Sequence, residues 1–562
     1  MVNIEKYGIK PYGALPNERQ INHFHISKKA FFHFGVNTFS NLEHGLGTES
    51  AQIFNPTQTD VRQWISTIKA AGFKLAILTV KHHDGFCLWP SKYSDFTVKN
   101  SPYKDGKGDI VREFSDACRE YGIKMGIYIS PWDRNSKYWG TDDYNDYFCN
   151  QLTELLTEYG KIEEVWWDGC GSKEAVYDWG RWAFIVREYQ PDAAIFGAMG
   201  AAKYVDMRWV GNERGFAGET HYACIDKKYI EVETSGVLNV GMAGGPDYIP
   251  SETDVSIRPG WFYHKEQDNL VKSVFHLNKI WFESVGRNSM MLLNFPPDRN
   301  GLIHETDANN AILSHRCISR MLAVNYAVGA NITSDSVLLP ELSADKAVWD
   351  TDEFFFASAK NTVCVDIVLK QKTLLNVLAF GELIEAGERI TEFKVEDMTS
   401  GEPELIYNGS SVGFYRAIKM PTKEYSHLRL TITKAFAPPV IRTIGLHLFE
   451  DVDDERVSTA KTQDLANLAT THIEYSDDLN SVVVAFGGIF PFNHVEFTLC
   501  APSSYSIEAF DGARYRPCVK GKTDDGFVSI ILEQAALGSY QMRIKSEAKI
   551  DRNAPISIRY VE

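Results

Sequence analysis

Long apolar runs are missing from this chain, and their absence removes a whole class of protein. No stretch approaches the roughly 18 apolar residues of a membrane-spanning helix. The opening residues MVNIEKYGIKPYGALPNERQ lack the basic n-region and apolar h-region of a signal peptide. The sequence as it stands reads as cytoplasmic, and a secreted or periplasmic chain trimmed of its signal would read the same way. Basic clusters are missing too. With a formal net charge of −16 and no basic run, the chain offers little to nucleic acid or an anionic membrane, both of which reward grouped Lys and Arg. The nine cysteines, scattered from Cys87 to Cys518, form no CxxC pair and no Cys/His group at zinc spacing, so they read as reduced thiols, and neither metal nor cofactor is expected. No fixed-period repeat or low-complexity segment is evident, and nothing in the sequence speaks to oligomeric state.

What is present is globular. The 562 residues are 44% hydrophobic and 23% charged, enough for two or three domains with ample cores. Aromatics make up 12% of residues, including 12 Trp. Flat aromatic faces suit the C–H faces of sugars, although most Trp serve as core.

From about residue 30 to 300, apolar runs of strand length alternate with segments of helical period, the signature of a parallel β/α barrel. The first strand is expected over Ala30 to Phe39. A helix opening at Thr59 places Val61, Trp64, Ile65 and Ile68 on one face and stops at Gly72. LAILTVKHH, KMGIYIS, IEEVWWDG and AAIFG follow as strands, separated by helices over Asp109 to Tyr121, Tyr144 to Tyr159 and Tyr177 to Tyr189. Later strands are placed at MRWVGNE, YIEVETS and, after a helix from Val271 to Val285, MMLLNF. Beyond about Pro340 the texture changes to short alternating runs such as NTVCVDIVL and HLRLTITKA, and after the polar stretch DVDDERVSTAKTQD a second strand-rich set begins. The expected architecture is a (β/α)8 barrel of TIM type over residues 1–340, a β-sandwich over 341–452 and a second over 453–562.

In a β/α barrel the chemistry sits where strands end. Four runs put polar groups there: FFHFG with His33, KHHDGF with His82, His83 and Asp84, VWWDG with Asp168, and RWVGNERG with Glu213. Taken singly, a strand-end Asp often caps a helix and a buried His often bonds a carbonyl. Together they are hard to explain by stability, because buried polar groups cost energy unless paired. Glycoside hydrolysis needs two carboxyl groups facing one bond, one to attack or activate water and one to protonate the leaving oxygen. Asp168, following Trp166 and Trp167, and Glu213, following Trp209 and Val210, suit those two tasks. A metal-assisted reading on His82, His83 and Asp84 is weaker, since adjacent strand residues point to opposite faces. A binding protein with a degenerate barrel would not need both carboxyls.

FFHFGVNTF, LTVKHHDGFCLWPS, SPWDRN, VWWDG, SIRPGWFYH and GRNSMMLLNFPPDRNGLI, in this order over roughly the first 330 residues, resemble glycoside hydrolase family 29, the α-L-fucosidases. The tail resembles the galactose-binding-like sandwich that follows that family's barrel. The resemblance implies a retaining exo-α-L-fucosidase acting on fucosylated glycans or oligosaccharides without a cofactor, with Asp168 as nucleophile and His33, His82 and His83 as ligands of fucose hydroxyls. Trp89, Tyr128, Trp166 and Arg258 fall at or near its sugar-pocket positions, with Glu49 a further member. Arg258 is alternatively a structural barrel arginine. The family's acid/base varies in position. The Glu of GNERG resembles the subfamily acting on α-1,3 and α-1,4 branches, which implies Glu213, with Glu219, Glu231 and Glu233 as rivals.

Overall fold

In the computed structural model, which describes residues 2–171, 175–197, 199–232, 235–510 and 515–561, eight short parallel strands form a barrel. They are β1 Lys28–Phe32, β2 Leu75–Lys81, β3 Lys124–Ile129, β4 Glu164–Trp166, β5 Ala194–Phe196, β6 Arg208–Trp209, β7 Ser251–Ser256 and β8 Met290–Asn294. Their order in the sheet is β5-β4-β3-β2-β1-β8-β7-β6, and one parallel bridge from Phe196 to Met207 joins its two ends.

The helices outside follow from local signals. Helix α1, Val61–Ala70, is capped by the Asp60 side chain accepting from Gln63 N, and it buries Val61, Trp64, Ile65 and Ile68. Helix α2, Ile110–Tyr121, is capped by Asp109 and ends at Gly122, whose φ of 68° is left-handed. Helices α3, Asp143–Glu158, and α4, Trp179–Tyr189, follow β3 and β4. Period-two alternation sends Phe32 of β1 outward, where its ring stacks on Trp64 at 5.6 Å.

The inward faces are polar. Lys29 on β1 bonds Glu164 on β4 at 2.9 Å and also contacts Glu252 on β7. All three side chains are fully buried. Burial and the facing Glu252 push the Glu164 carboxyl well up, opposed by Lys29. One layer higher, Trp166 donates its indole N–H to Glu252 at 3.0 Å. Two residues beyond Trp166 the same alternation presents Asp168.

That polar interior explains a correction. YIEVETS is not a barrel strand: Lys228–Glu231 is a short helix, residues 233 and 234 lie outside the described residues, and the seventh strand is SETDVS. Its inward residues are Glu252, Asp254 and Ser256, so a search for apolar runs passes over it. The first strand also ends sooner than expected, at Phe32, and Val36–Ser40 turns into a short helix. The helix before β8 runs Val274–Glu283.

Two antiparallel sheets follow the barrel. One orders Phe356–Ala357, Val440–His447, Val363–Glu382, Arg416–Ala435, Ile390–Asp397 and Glu404–Gly409, with Asn331–Ser334 beside Val363–Glu382. It buries Val365, Ile367, Leu378, Phe380, Leu428 and Leu430. The other orders His472–Tyr475, Ser481–Thr498, Phe527–Ser546, Ser503–Phe510 and Tyr515–Thr523, with Ser557–Arg559 on Ser481–Thr498. By contacts the chain forms two compact units: residues 1–256 with 278–450, and residues 257–277 with 451–562. Among the described residues no helix is long and apolar enough to cross a membrane.

Candidate active site

The strand-end residues of β1, β2, β3 and β4 converge on Asp168. Its Oδ2 accepts the Tyr128 hydroxyl at 2.9 Å and lies 3.6 Å from His83 Nε2, while its Oδ1 accepts from Cys170 N at 2.8 Å. The carboxylate is thus aimed from both oxygens and remains 29% exposed, open to a ligand. Cys170 N and Asp168 form a local turn that ends at Gly171, where φ is +75° and an added Cβ would meet Trp132 at 2.4 Å. Only glycine allows Trp132 to lie against this loop.

Three buried histidines stand beside the carboxylate. Strand β2 ends at Lys81 with an irregular register against β3, so His82 and His83 do not splay to opposite faces. Their rings lie 4.1 Å apart, and the His33 ring is 5.4 Å from His82. His82 stacks on Tyr128 at 5.6 Å, and Trp132 lies 5.1 Å from His83.

The hydrogen bonds fix two tautomers. Ser130 Oγ donates to Trp132 O at 2.7 Å, so it accepts from His83 Nδ1, also at 2.7 Å, and Nε2 is the acceptor. Asn294 Nδ2 donates to Ser256 Oγ at 2.9 Å, so Asn294 Oδ1 accepts from His33 Nδ1 at 2.9 Å; Nε2 is again the acceptor. Burial lowers His33 to about 3 and His83 to about 4, against the raising effects of Asn294 on the first and of Asp168 on the second. Burial also holds His82 well below its ordinary value. At neutral pH these are uncharged rings, each able to donate and to accept, which matches an array of hydroxyl groups.

Below them lies a carboxyl that apolar patterning does not reveal. Asp254 on β7 accepts the Trp209 indole N–H at 2.9 Å. Burial, with Asp168 and Glu252 nearby, raises it to about 8. It is a neutral carboxylic acid at neutral pH, so the pocket does not crowd a second charge against Asp168.

Glu213 sits after β6 in the turn GNERG. Asn212 Oδ1 accepts from Arg214 N at 3.0 Å, and Asn212 Nδ2 donates to Phe216 O at 2.9 Å. Gly215, at φ +84°, packs so closely that a Cβ would meet Ile280 and Val255 at 3.0–3.2 Å. The turn presents Glu213 at its apex, half-buried. Of the rivals, Glu219 is committed elsewhere: although burial opposes ionisation, Arg416 and Arg287 hold its carboxyl down, and it pairs with Arg287 at 2.8 Å. Glu231 accepts from Gly200 N at 2.8 Å, and Glu233 lies outside the described residues.

The remaining expected residues separate. Glu49 holds Leu46 N at 2.5 Å through Oε1, while its Oε2 is buried with no hydrogen-bond partner among the described residues. Trp166 is buried, stacked on Phe196 at 3.7 Å. Trp89 has a structural job instead of a sugar-facing one: it is 1% exposed and donates its indole N–H to Glu154 on α3 at 2.9 Å. Glu154 also accepts from Ser91 Oγ and Lys92 N, which pins the β2 loop to α3. Arg258 falls in the second unit, where it pairs with Asp268 at 2.8 Å and lies over the Tyr263 ring.

Among the described residues Asp84 joins no group of metal donors with the His pair, and its carboxyl accepts from Phe86 N and Asn37 Nδ2 at 2.7 and 3.0 Å. Two other groups of donors do meet among the described residues. One is His23, Glu164 and Glu252, and the other is His44, His83 and Cys170. In the first, the Lys29 ammonium already supplies the cation between the carboxyls.

Comparison with known proteins agrees on one family. The sequence family of α-L-fucosidases matches residues 17–315. The chain is 37% identical over 466 residues to alpha-L-fucosidase 1 of Arabidopsis thaliana, covering 80% of this chain and 91% of that protein. A crystal structure of a candidate α-L-fucosidase from Bacteroides thetaiotaomicron is 43% identical with a TM-score of 0.77, covering 78% of this chain and 99% of that one. A Ruminococcus gnavus GH29 fucosidase crystallised in complex with fucose is 30% identical with a TM-score of 0.73, covering 78% and 96%.

Proposed function

The chain belongs to the α-L-fucosidases of glycoside hydrolase family 29, and on that premise we propose that it is a retaining exo-enzyme using Asp168 as nucleophile and Glu213 as acid/base. The observation that carries the reading is Asp168 at the end of β4, aimed by Tyr128 Oη and Cys170 N and flanked by three neutral histidines. In the first step Asp168 attacks the anomeric carbon of an α-L-fucoside while Glu213 gives a proton to the departing glycosidic oxygen. The result is a β-linked fucosyl ester. In the second step Glu213 takes a proton from water, whose oxygen attacks the same carbon, breaks the ester bond to release the Asp168 carboxylate and restores the α configuration.

His33, His82 and His83 bind sugar hydroxyls. The Nε2 atoms of His33 and His83 accept, because their Nδ1 protons are committed to Asn294 and Ser130. Trp166 forms apolar floor, and the Glu49 Oε2 atom supplies a further acceptor for a hydroxyl. The fucose in the R. gnavus complex supports the same glycone for this chain. The two-carboxyl mechanism calls on no metal ion, so extensive chelation should leave turnover intact.

Proton NMR of the first-formed sugar tests the stereochemistry: α-L-fucose should appear first, and β-L-fucose appearing first would end the double-displacement assignment. A 2-fluoro-fucosyl reagent should label a peptide containing Asp168. For linkage, the likeness of GNERG to the α-1,3/1,4-acting subfamily supports faster release from a Lewis trisaccharide than from 2′-fucosyllactose. Equal or reversed rates reject that preference.

A further inference from the structure

Just above the proposed nucleophile, three loops bring the sugar-facing His83 together with two donors that the proposed mechanism does not use, His44 and Cys170. The ligand atoms of His44, His83 and Cys170 all lie within 4.8 Å of one another. The His44 ring is 5.4 Å from that of His83 and 6.2 Å from Trp132. His44 and Cys170 are exposed, and Cys170 is reduced. We propose that these three side chains form a binding site for a borderline-soft divalent cation, Zn²⁺ by its donor set, and that occupancy shuts the active site.

Two imidazole nitrogens and one sulfur suit zinc, whose bonds of about 2.0–2.1 Å to nitrogen and 2.3 Å to sulfur set tetrahedral edges of about 3.3–3.6 Å. The donors therefore need to draw in by about 1 Å, within reach of side-chain rotation at the two exposed positions. His83 is already oriented as zinc-ligating histidines are: its Nδ1–H is held by Ser130, itself anchored on Trp132 O, which leaves Nε2 to coordinate. Asp168 Oδ2, 3.6 Å from that nitrogen, is in place as a fourth ligand. On binding, the Cys170 thiol releases its proton to solvent and the thiolate pair becomes the metal–sulfur bond.

Blockade follows because one lone pair cannot serve two partners. The His83 Nε2 electrons that coordinate the ion are those that accept the sugar hydroxyl, and the ion would stand against the attacking oxygen. Zn²⁺ and substrate are mutually exclusive.

The test uses the whole enzyme with Zn²⁺ as inhibitor and Co²⁺ as spectroscopic probe. Zn²⁺ should raise the apparent KM for an aryl α-L-fucoside at unchanged kcat. Cys170→Ser and His44→Ala should each raise the inhibition constant by at least about tenfold, the scale on which even supporting residues of metal sites act. His44→Ala should keep the uninhibited kcat/KM within about twofold, as expected for an exposed substitution, and inhibition of Cys170→Ser is read against that variant's own uninhibited rate. Co²⁺ should show a thiolate charge-transfer band that Cys170→Ser abolishes. Unchanged inhibition in both variants, inhibition that lowers kcat alone, or a Co²⁺ spectrum without the thiolate band would each overturn the site. The inhibition half rests on the fucosidase reading. The Co²⁺ spectrum does not, so failure of one is distinguishable from failure of the other.

Discussion

Replacing Asp254 by Asn should stabilise the protein, and by an amount that grows with pH. Asp254 is fully buried, and its carboxyl is raised from 3.8 to about 8, chiefly by burial. For an acid whose folded value lies above its unfolded value, the folded state keeps a proton that the unfolded state has lost. Between those two values stability falls as pH rises, by about 1.4 kcal/mol per pH unit, and the full window of about four units amounts to about 5–6 kcal/mol. Below the unfolded value the group costs nothing, and above about 8 the cost levels off. Asparagine has the shape of the protonated acid and keeps an oxygen to accept the Trp209 indole N–H, which now lies 2.9 Å from Oδ1. The measurement is the urea-unfolding free energy of Asp254→Asn minus that of the parent at several pH values. Between about pH 5 and pH 7.5 the difference should widen by about 3–4 kcal/mol in favour of the variant. A difference that stays flat across that range refutes the neutral-carboxyl assignment, whatever its sign.

Glu213→Ala should lose roughly 10²–10⁴-fold in rate on natural glycosides, suffer much less in the first step with a dinitrophenyl fucoside, and release α-fucosyl azide when azide is added. Near-full activity on a Lewis trisaccharide would move the acid/base to another carboxylate. Tyr128→Phe removes the 2.9 Å bond to Asp168. At about 1.5–3 kcal/mol for a bond to a charged group, kcat/KM should fall about 10–100-fold at unchanged melting temperature, and an unaltered kcat/KM would deny Tyr128 its aiming role. Lys29→Met strands two buried carboxyls and should cost about 3–5 kcal/mol in denaturant unfolding; a neutral effect would mean the cluster relaxes without its cation.

The end of the barrel that gathers the candidate site is legible in the sequence because VWWDG and KHHDGF each step from apolar strand to polar terminus, and a parallel barrel collects such termini on one face. SETDVS was not legible for the converse reason. Its inward residues pair with Lys29, Trp166, Trp209 and Asn294, and polar pairing inside a barrel leaves no hydrophobic period to read. Asp254 was lost with it. Trp132 stands in the quoted run SPWDRN, but its place beside His83 depends on the close approach to Gly171, a tertiary contact without a local signature. Trp89 shows the opposite error. The family resemblance sets it among sugar-pocket positions, whereas its 1% exposure and its bond to Glu154, on a helix distant in sequence, make it an anchor of the β2 loop.

The ring of strands has a seam. Strand β6 is only two residues long, and among the described residues one bridge, from Phe196 to Met207 just before it, joins it to β5, whereas β2 pairs along most of its length with both neighbours. Insertions and deletions in descendants of this gene are tolerated best where the fewest ladder bonds must be re-formed. That place is the stretch after β6 which carries Glu213, while Asp168 and the histidines hang from the well-sutured side. On the proposed reading the groups set against the sugar hang from the well-paired side and the acid/base, which faces whatever the sugar is attached to, hangs from the seam, so changes after β6 should shift the choice of aglycone more than the choice of sugar.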